Sequence, residues 1–463
     1  MALALAACSR DAASRPHCLV VVMSGVRADH TGPGGGPRAT TPALDALAAT
    51  GAWFGSAITV SASPISAHAS IQTGLHPSEH NVTPDHPVMV AQLETLAEKL
   101  KSAGYTTAAF NTDAAMGRGN GFAQGFDTFE EILPDENGLP EGGAAAAEER
   151  FKSWLEARGG AAASSPFFAY VTLITPRLPF SPPAEYQNKF MDTVVAIQRQ
   201  EKLAQLWIPF ARQFTLGLAG LTEDERAVLT SLYDAEIAYT DYRLGRLIDL
   251  LRQHQLLDST LVVVTSDTGE DLGQHGAYAD TMNLHDSIVR VPLAVSLPGR
   301  IKAAERIAAQ VQPTDLMKLI LTVTAAPASA PPAEVSAATL MGSRPAAFAE
   351  ARIDPAAMRT YQEAAPPGTD LSFLQRNLLM ARTQDYKYVV TSQQNAALFD
   401  LKADPGETAS VLASRPQVLS DLAGQLESWA GGLRPVAAAF PAAPDGAPPA
   451  QPQGKAAPGA RTP

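Results

Sequence analysis

Four runs are apolar at nearly every position: CLVVVM at 18–23, FFAYVTL at 167–173, LVVVT at 261–265 and VPLAVSL at 291–297. Strands of a parallel sheet covered on both faces have this pattern, because neither face meets water. A shorter run, TTAAF at 106–110, follows Gly104 and Tyr105 and predicts a further strand. Between the runs the spacing changes to that of helices. Residues 41–50 (TPALDALAAT) place Pro42 in a first turn, residues 92–103 (QLETLAEKLKSA) are amphipathic, and 233–253 make a long amphipathic helix. Residues 70–73 are expected to open another helix. Apolar strands alternating with helices predict an α/β protein with a doubly wound, mostly parallel sheet flanked by helices.

Later segments change character. Residues 185–221 predict a helical insertion, placed to act as a lid. Residues 325–346 are rich in Ala, Pro and Ser and predict a loop. Residues 348–390 carry strand-like pieces, including YKYVV at 386–390, followed by LFDLKA at 398–403 and a helix near 417–429. These predict a smaller C-terminal α+β subdomain. The expected organisation is residues 1–17 as signal, lipobox and tether, 18–325 as the α/β domain, 326–433 as the subdomain, and 434–463 as a disordered Pro/Ala-rich tail.

A chain of 463 residues with 46% hydrophobic content is long enough for one large core plus an appended unit. Its formal net charge of −12 argues against nucleic acid as a partner, since phosphate backbones require clustered Lys and Arg. The two cysteines, Cys8 and Cys18, rule out a disulfide scaffold. Leu5-Ala6-Ala7-Cys8 matches a bacterial lipobox, which predicts a periplasmic or envelope protein held to the membrane only through a lipid on Cys8. Cys18 is then expected to be a buried thiol.

In doubly wound sheets ligands bind beyond the carboxyl ends of the strands. Here those ends carry Ser24, Gly25, Arg27 and Asp29 after the first run, Pro176 and Arg177 after the middle one, and Ser266 to Asp271 after the later one. At this level the chain resembles a type I sulfatase of the alkaline phosphatase-like superfamily. The resemblance is carried by VVVMSGVRADH (20–30), TTPALDALAATGAWFGSA (40–57), HASIQTGLHPSEHNV (68–82), GFAQGFDTF (121–129), PFFAYVTLITPRLPFSPPAEY (166–186), YDAEIAYTDYRLGRLIDLL (233–251), LVVVTSDTGEDLGQHG (261–276), VRVPLAVSLPG (289–299) and LFDLKADPGE (398–407). Together they span residue 18 to about 430 in the family's order.

The resemblance implies sulfate-ester hydrolysis by a hydrated formylglycine made from Cys or Ser, activated by a divalent ion, usually Ca²⁺. Related phosphatases use Ser or Thr. Residue by residue the chain departs from that set. The Asp pair implied after the first strand falls on Ser24 and Gly25. The nucleophile falls on Pro64, four residues before His68, and the motif's Pro-Ser pair falls on Ser66-Ala67. The His implied after the middle strand falls on Arg177. Asp267 keeps its place, but Thr268 stands where His or Asn is implied. Arg27, Asp29, His68, Thr73, Gly74, His80, Gly269, Glu270 and His275 remain.

Three functional readings follow. In the favoured one, hydrolysis is lost and no cofactor is expected. Arg177 and His68 then bind the anion of a sulfated or phosphorylated small molecule or glycan, or a protein docks there. Against this stands a bland role for Arg177, pairing with Asp267 to fill a dead metal pocket. In the second reading, Ser63 or Ser66 shifts into the nucleophile position beside His68, and Asp29, Glu270 or Asp271 rebuilds a Ca²⁺ site around Asp267. In the third, the chain is a structural envelope protein tethered at Cys8. Ser24 is expected to cap a turn, Asp271 and His275 to be solvated loop residues, and Gly269 to allow close backbone approach.

Overall fold

The computed structural model describes residues 15–133, 143–159, 163, 165–191, 207–276, 283–325 and 334–433. Cys8, residues 192–206 of the expected insertion, and the 434–463 tail lie outside the described residues.

The larger sheet contains β1 (His17–Met23), β2 (Ala52–Ile58), β3 (Thr106–Asn111), β4 (Thr128–Glu131), β5 (Phe167–Leu173), β6 (Thr260–Thr265), β7 (Arg290–Val291), β8 (Leu293–Ser296) and β9 (Glu305–Val311). Its order is β4-β3-β5-β1-β6-β8-β2-β7, with β9 also paired to β2. From β4 to β6 every pairing is parallel, and β8 joins antiparallel. The apolar runs explain the centre of this order. Val21 pairs with Val171 on one side and Val264 on the other, and both faces of β1 are covered. Leu19, Val21 and Met23 pack with Phe151, Leu244 and Leu251 of helices α4 (Ala144–Ala157) and α5 (Glu223–Gln253). Cys18, Val20 and Val22 pack on the other face with Ile71 of α2 (Pro64–Thr73), Leu100 of α3 (Leu96–Ser102), and Leu319 and Ile320 of α6 (Leu316–Ala325). The remaining main helix of this unit is α1 (Pro42–Thr50), where predicted.

Several boundaries differ from expectation for identifiable reasons. Helix α3 begins at Leu96 because Thr95 and Glu98 form a capping box, each side chain accepting the other's backbone N–H. Helix α5 starts at Glu223, well before residue 233, behind a like box of Thr222 and Glu225. Pro292 splits the run at 291–297 into β7 and β8, since proline cannot donate to a ladder. Residues 70–73 close a helix instead of opening one, and Gly74 caps it at φ +72°. A short helix, Ala337–Met341, stands within the stretch expected to be a loop. Strand β2 escaped prediction because Gly55 and Ser56 interrupt its apolar pattern.

The second sheet is antiparallel, in the order β10 (Ala347–Ala351), β11 (Leu378–Arg382), β12 (Tyr386–Thr391), β13 (Ala396–Asp400). Helix α7 (Pro416–Gly432) lays Leu422 and Leu426 on Ala381 and Leu398. Polar contacts tie this sheet to the larger one. Glu350 N–H donates to Val60 C=O at 2.9 Å, and Arg382 donates to Gln310 at 2.7 Å.

Candidate functional site

Parallel register brings the carboxyl ends of β1, β5 and β6 to one level. Met23 pairs with Leu173, and Val22 with Thr265. The residues that follow therefore converge on Asp267. The Ser24 hydroxyl donates to Asp267 Oδ2 at 2.6 Å. The backbone N–H groups of Gly25 and Thr268 donate to Oδ1 at 3.1 and 2.6 Å. His68 Nε2 lies 3.3 Å from Oδ2, close but poorly aligned for a hydrogen bond. The other ring nitrogen, Nδ1, is 2.7 Å from the Tyr170 hydroxyl. Ser24, His68, Asp267, Thr268 and Tyr170 are all buried.

Burial alone would raise the Asp267 carboxyl. His68 and the Ser24 hydroxyl, with the charge of Arg177, outweigh it and hold the group well below the usual carboxylate range. Burial, then the Asp267 charge, pushes the Tyr170 phenol well above its ordinary value. The centre thus joins one ionised carboxylate to donors that already occupy both of its oxygens.

The structure corrects several expectations here. Ser24 does not serve merely as a turn cap, because its hydroxyl is spent on Asp267. Arg177 does not pair with Asp267. Its guanidinium reaches Asp113 at 3.3 Å, and its backbone N–H donates to Glu236 at 3.1 Å. Asp271 is not solvated, and His275 is half-buried beside it. Asp271 is buried, His275 Nδ1 lies 3.2 Å from it, and the Asn283 amide donates to it at 2.9 Å. Asp29 is held by Arg27 through two hydrogen bonds. Gly269 does allow close approach, since a Cβ there would fall 2.0 Å from the Ser287 carbonyl oxygen.

The serine-rich stretch proves to be a helix. Pro64 is its first residue and Ser63 its N-cap, with the Ser63 N–H donating to the Ser61 hydroxyl at 3.1 Å. Ser66 is buried within it. Ser70 lies 2.9 Å from His80 Nε2, an arrangement that resembles a nucleophile and base. The tautomer argues otherwise. His80 Nδ1 accepts the Val82 N–H at 2.9 Å, so the ring proton sits on Nε2 and points to Ser70. Burial lowers His80 to about 3, so it stays neutral and has no lone pair to take the serine proton.

Sequence reasoning missed the side chains of α5 that hold the strand-end loops. The Tyr233 hydroxyl donates to Gly25 C=O at 2.7 Å and accepts the Arg27 N–H at 2.9 Å. Asp234 binds His30 and Arg38. Glu236 accepts the backbone N–H groups of Ser181 at 2.6 Å and Arg177 at 3.1 Å. Asp241 accepts those of Ala43 and Leu44 at the start of α1. Burial raises Glu236 to about 8 and Asp241 to about 7 against these donors. The available signal was a run of polar residues, YDAEIAYTD at 233–241, on a helix buried at every one of those positions.

A family model described as Sulfatase matches residues 16–326. The chain belongs to the sulfatase family. Among curated sulfatases it is 26% identical to Arylsulfatase K of Bos taurus over 303 residues, 60% of this chain and 54% of that protein. It is 25% identical to the uncharacterized sulfatase YidJ of Escherichia coli over 315 residues, 61% of this chain and 63% of that one. The chain thus spans somewhat over half the length of these relatives. Among solved structures, the phosphonate monoester hydrolase of Agrobacterium radiobacter superposes with TM-score 0.69 at 22% identity, covering 90% of this chain and 96% of that one. BT4656, in complex with its substrate D-glucosamine-2-N,6-O-disulfate, gives TM-score 0.70 at 19% identity, covering 90% and 98%. These likenesses confirm the sulfatase fold.

Sulfatase-family chemistry uses a divalent ion, and the donor set here does not fit one. Such ions take six or more oxygens and gain affinity from carboxylate charge. Asp267 contributes the one carboxylate of this cluster, and both its oxygens already accept protein donors. Among the described residues no group of three or more His, Cys, Asp or Glu could hold a metal ion.

Proposed function

We propose that this member of the sulfatase family has lost metal-dependent ester hydrolysis and acts by binding an anionic ligand. One observation carries the reading: Ser24, Gly25, Thr268 and His68 close around Asp267 where the family's ion would require open carboxylate oxygens. The nucleophile position supports it, because Pro64 has no nucleophilic atom and Ser63 and Ser66 lie on a helix with little exposure. A serine without metal or base is a weak nucleophile near neutral pH. A rebuilt site is disfavoured because Asp29 and Asp271 are committed to Arg27 and to His275 with Asn283. The lipobox at Leu5–Cys8 supports placing the protein in a bacterial envelope, tethered by lipid.

The test is calorimetric titration of the metal-stripped protein with Ca²⁺, Mg²⁺, Mn²⁺ and Zn²⁺, beside turnover of 4-nitrophenyl sulfate and 4-nitrophenyl phosphate. No tight ion binding and no turnover are expected. One equivalent of bound ion, with turnover abolished by Asp267→Ala, would overturn the reading.

A further inference from the structure

A cleft of about 540 Å³ opens between the edge of the larger sheet and the C-terminal sheet. Its lining includes Arg27, Ser56, Ser287, Arg290, Arg382 and Gln384. It is distinct from the Asp267 centre, none of whose side chains lines it.

The charges of the lining pair off, with one exception. Arg27 is held by Asp29, and Arg382 donates twice to Asp286, at 2.9 and 2.7 Å. Glu407 is matched by Lys387 at 2.8 Å, and His275 faces Asp271. Arg290 donates from Nε to Gly55 C=O at 3.1 Å and acts on Asp29 through its charge alone, making no ion pair with a carboxylate among the described residues. A second observation comes from the same turn. Ser287 is only 6% exposed, and its hydroxyl has no hydrogen-bond partner among the described residues. A buried hydroxyl left unpaired is costly and is satisfied by whatever occupies the space beside it.

We propose that this cleft binds a small hydroxylated molecule through a single oxyanion, a sulfate monoester or a carboxylate, held by the Arg290 guanidinium and the Ser287 hydroxyl. The planar fork of arginine matches two oxygens of such a group. A monoanion suits the cleft because Arg290 is its arginine without an ion-pair partner among the described residues, while Asp29, Asp286 and Glu407 repel a second negative charge. Ser56 and Gln384 supply hydroxyl and amide groups suited to sugar hydroxyls. This assignment rests on the binding role proposed above and specifies its ligand class, but it does not depend on the state of the Asp267 centre.

The experiment is calorimetric titration of the full chain with galactose 6-sulfate, galacturonate and, as a dianion at pH 8, glucose 6-phosphate. Saturable binding of at least one monoanion is expected, with the first two probes separating sulfate from carboxylate recognition. The phosphate should bind at least tenfold more weakly than the better monoanion. Arg290→Gln should weaken that binding at least tenfold, Ser287→Ala severalfold, and Arg252→Ala, on an exposed helix surface outside the cleft, not at all. Thermal melts of each variant show that it is folded, and Arg290→Lys gives a second, charge-retaining variant that should recover part of the affinity. Failure of both monoanions to bind, or binding indifferent to Arg290, would overturn the assignment. Metal-dependent turnover with an intact Arg290 site would sink the loss of hydrolysis alone. Absence of both metal and monoanion binding would sink the cleft alone.

Discussion

Ser24 and Asp267 stand 243 positions apart, and the hydroxyl of one donates to the carboxylate of the other at 2.6 Å. The contact joins the ends of neighbouring parallel strands and helps close a buried polar cluster. Removing Ser24 leaves the buried carboxylate short of a donor, and removing His68 takes away the ring packed against it. Ser24→Ala should cost about 1–3 kcal/mol, and His68→Ala about 2–4 kcal/mol, read from urea unfolding midpoints at pH 7. Asp267 is depressed in the folded state, so its contribution is present above the ordinary carboxylate range and is lost as pH falls below it. The destabilisation by His68→Ala should accordingly shrink in strong acid. Equal unfolding midpoints for wild type and both variants would show that the cluster contributes nothing.

Acidic residues introduced at the first strand end should not create a metal site. Gly25 has φ +78°, and a Cβ there would fall 2.3 Å from the Pro176 carbonyl oxygen. The double variant Ser24→Asp, Gly25→Asp should lose more than about 1 kcal/mol from the backbone conformation alone. It should bind Ca²⁺ no better than wild type by calorimetry. Tight, stoichiometric Ca²⁺ binding by this variant would mean that the loop still retains the geometry of an ion site.

Glu236 should make stability depend on pH in an unusual direction. Burial raises it from 4.5 to about 8, so the folded state holds its proton more tightly than the unfolded chain. The resulting stabilisation is complete below 4.5 and is lost as pH rises through about 8. Glu236→Gln keeps an acceptor for Ser181 or Arg177 and cannot ionise. Its stability relative to wild type should improve by roughly 1–3 kcal/mol between pH 4.5 and 8. Asp241, raised to about 7, should leave a smaller residual slope in the variant. Parallel profiles for the two proteins in denaturant titrations at several pH values would refute the assignment.

Cys18 lies buried in β1, and burial drives its thiol far above the ordinary range. In a Cys8→Ser background the folded protein should react with a disulfide reagent at least a hundredfold more slowly than in denaturant, where one equivalent is expected. Fast reaction in native buffer would indicate that the sheet around β1 opens readily.

Much of the sheet was legible because burial on both faces leaves a local mark. The runs at 18–23, 167–173 and 261–265 are apolar throughout, and they became β1, β5 and β6. The ends of those strands pointed to Ser24, Arg177 and Asp267. Strand β2 left no such mark, since Gly55 and Ser56 sit where the sheet borders the cleft.

The sequence by itself determined the α/β class and the family resemblance, and with it the expectation that Ser24, Gly25, Pro64 and Thr268 stand where the resemblance implies an Asp pair, a nucleophile and a His or Asn. Those are properties of residue type and order. Tertiary structure decided the pairings: His68 with Asp267, Arg177 with Asp113, Glu236 with two loop amides, and the isolation of Arg290 in a cleft shared with Gln384. Each of these depends on which donor reaches a buried acceptor first once distant segments have packed. Hydrophobic periodicity is averaged along one segment, whereas a hydrogen bond or ion pair is won or lost over a few tenths of an ångström between segments.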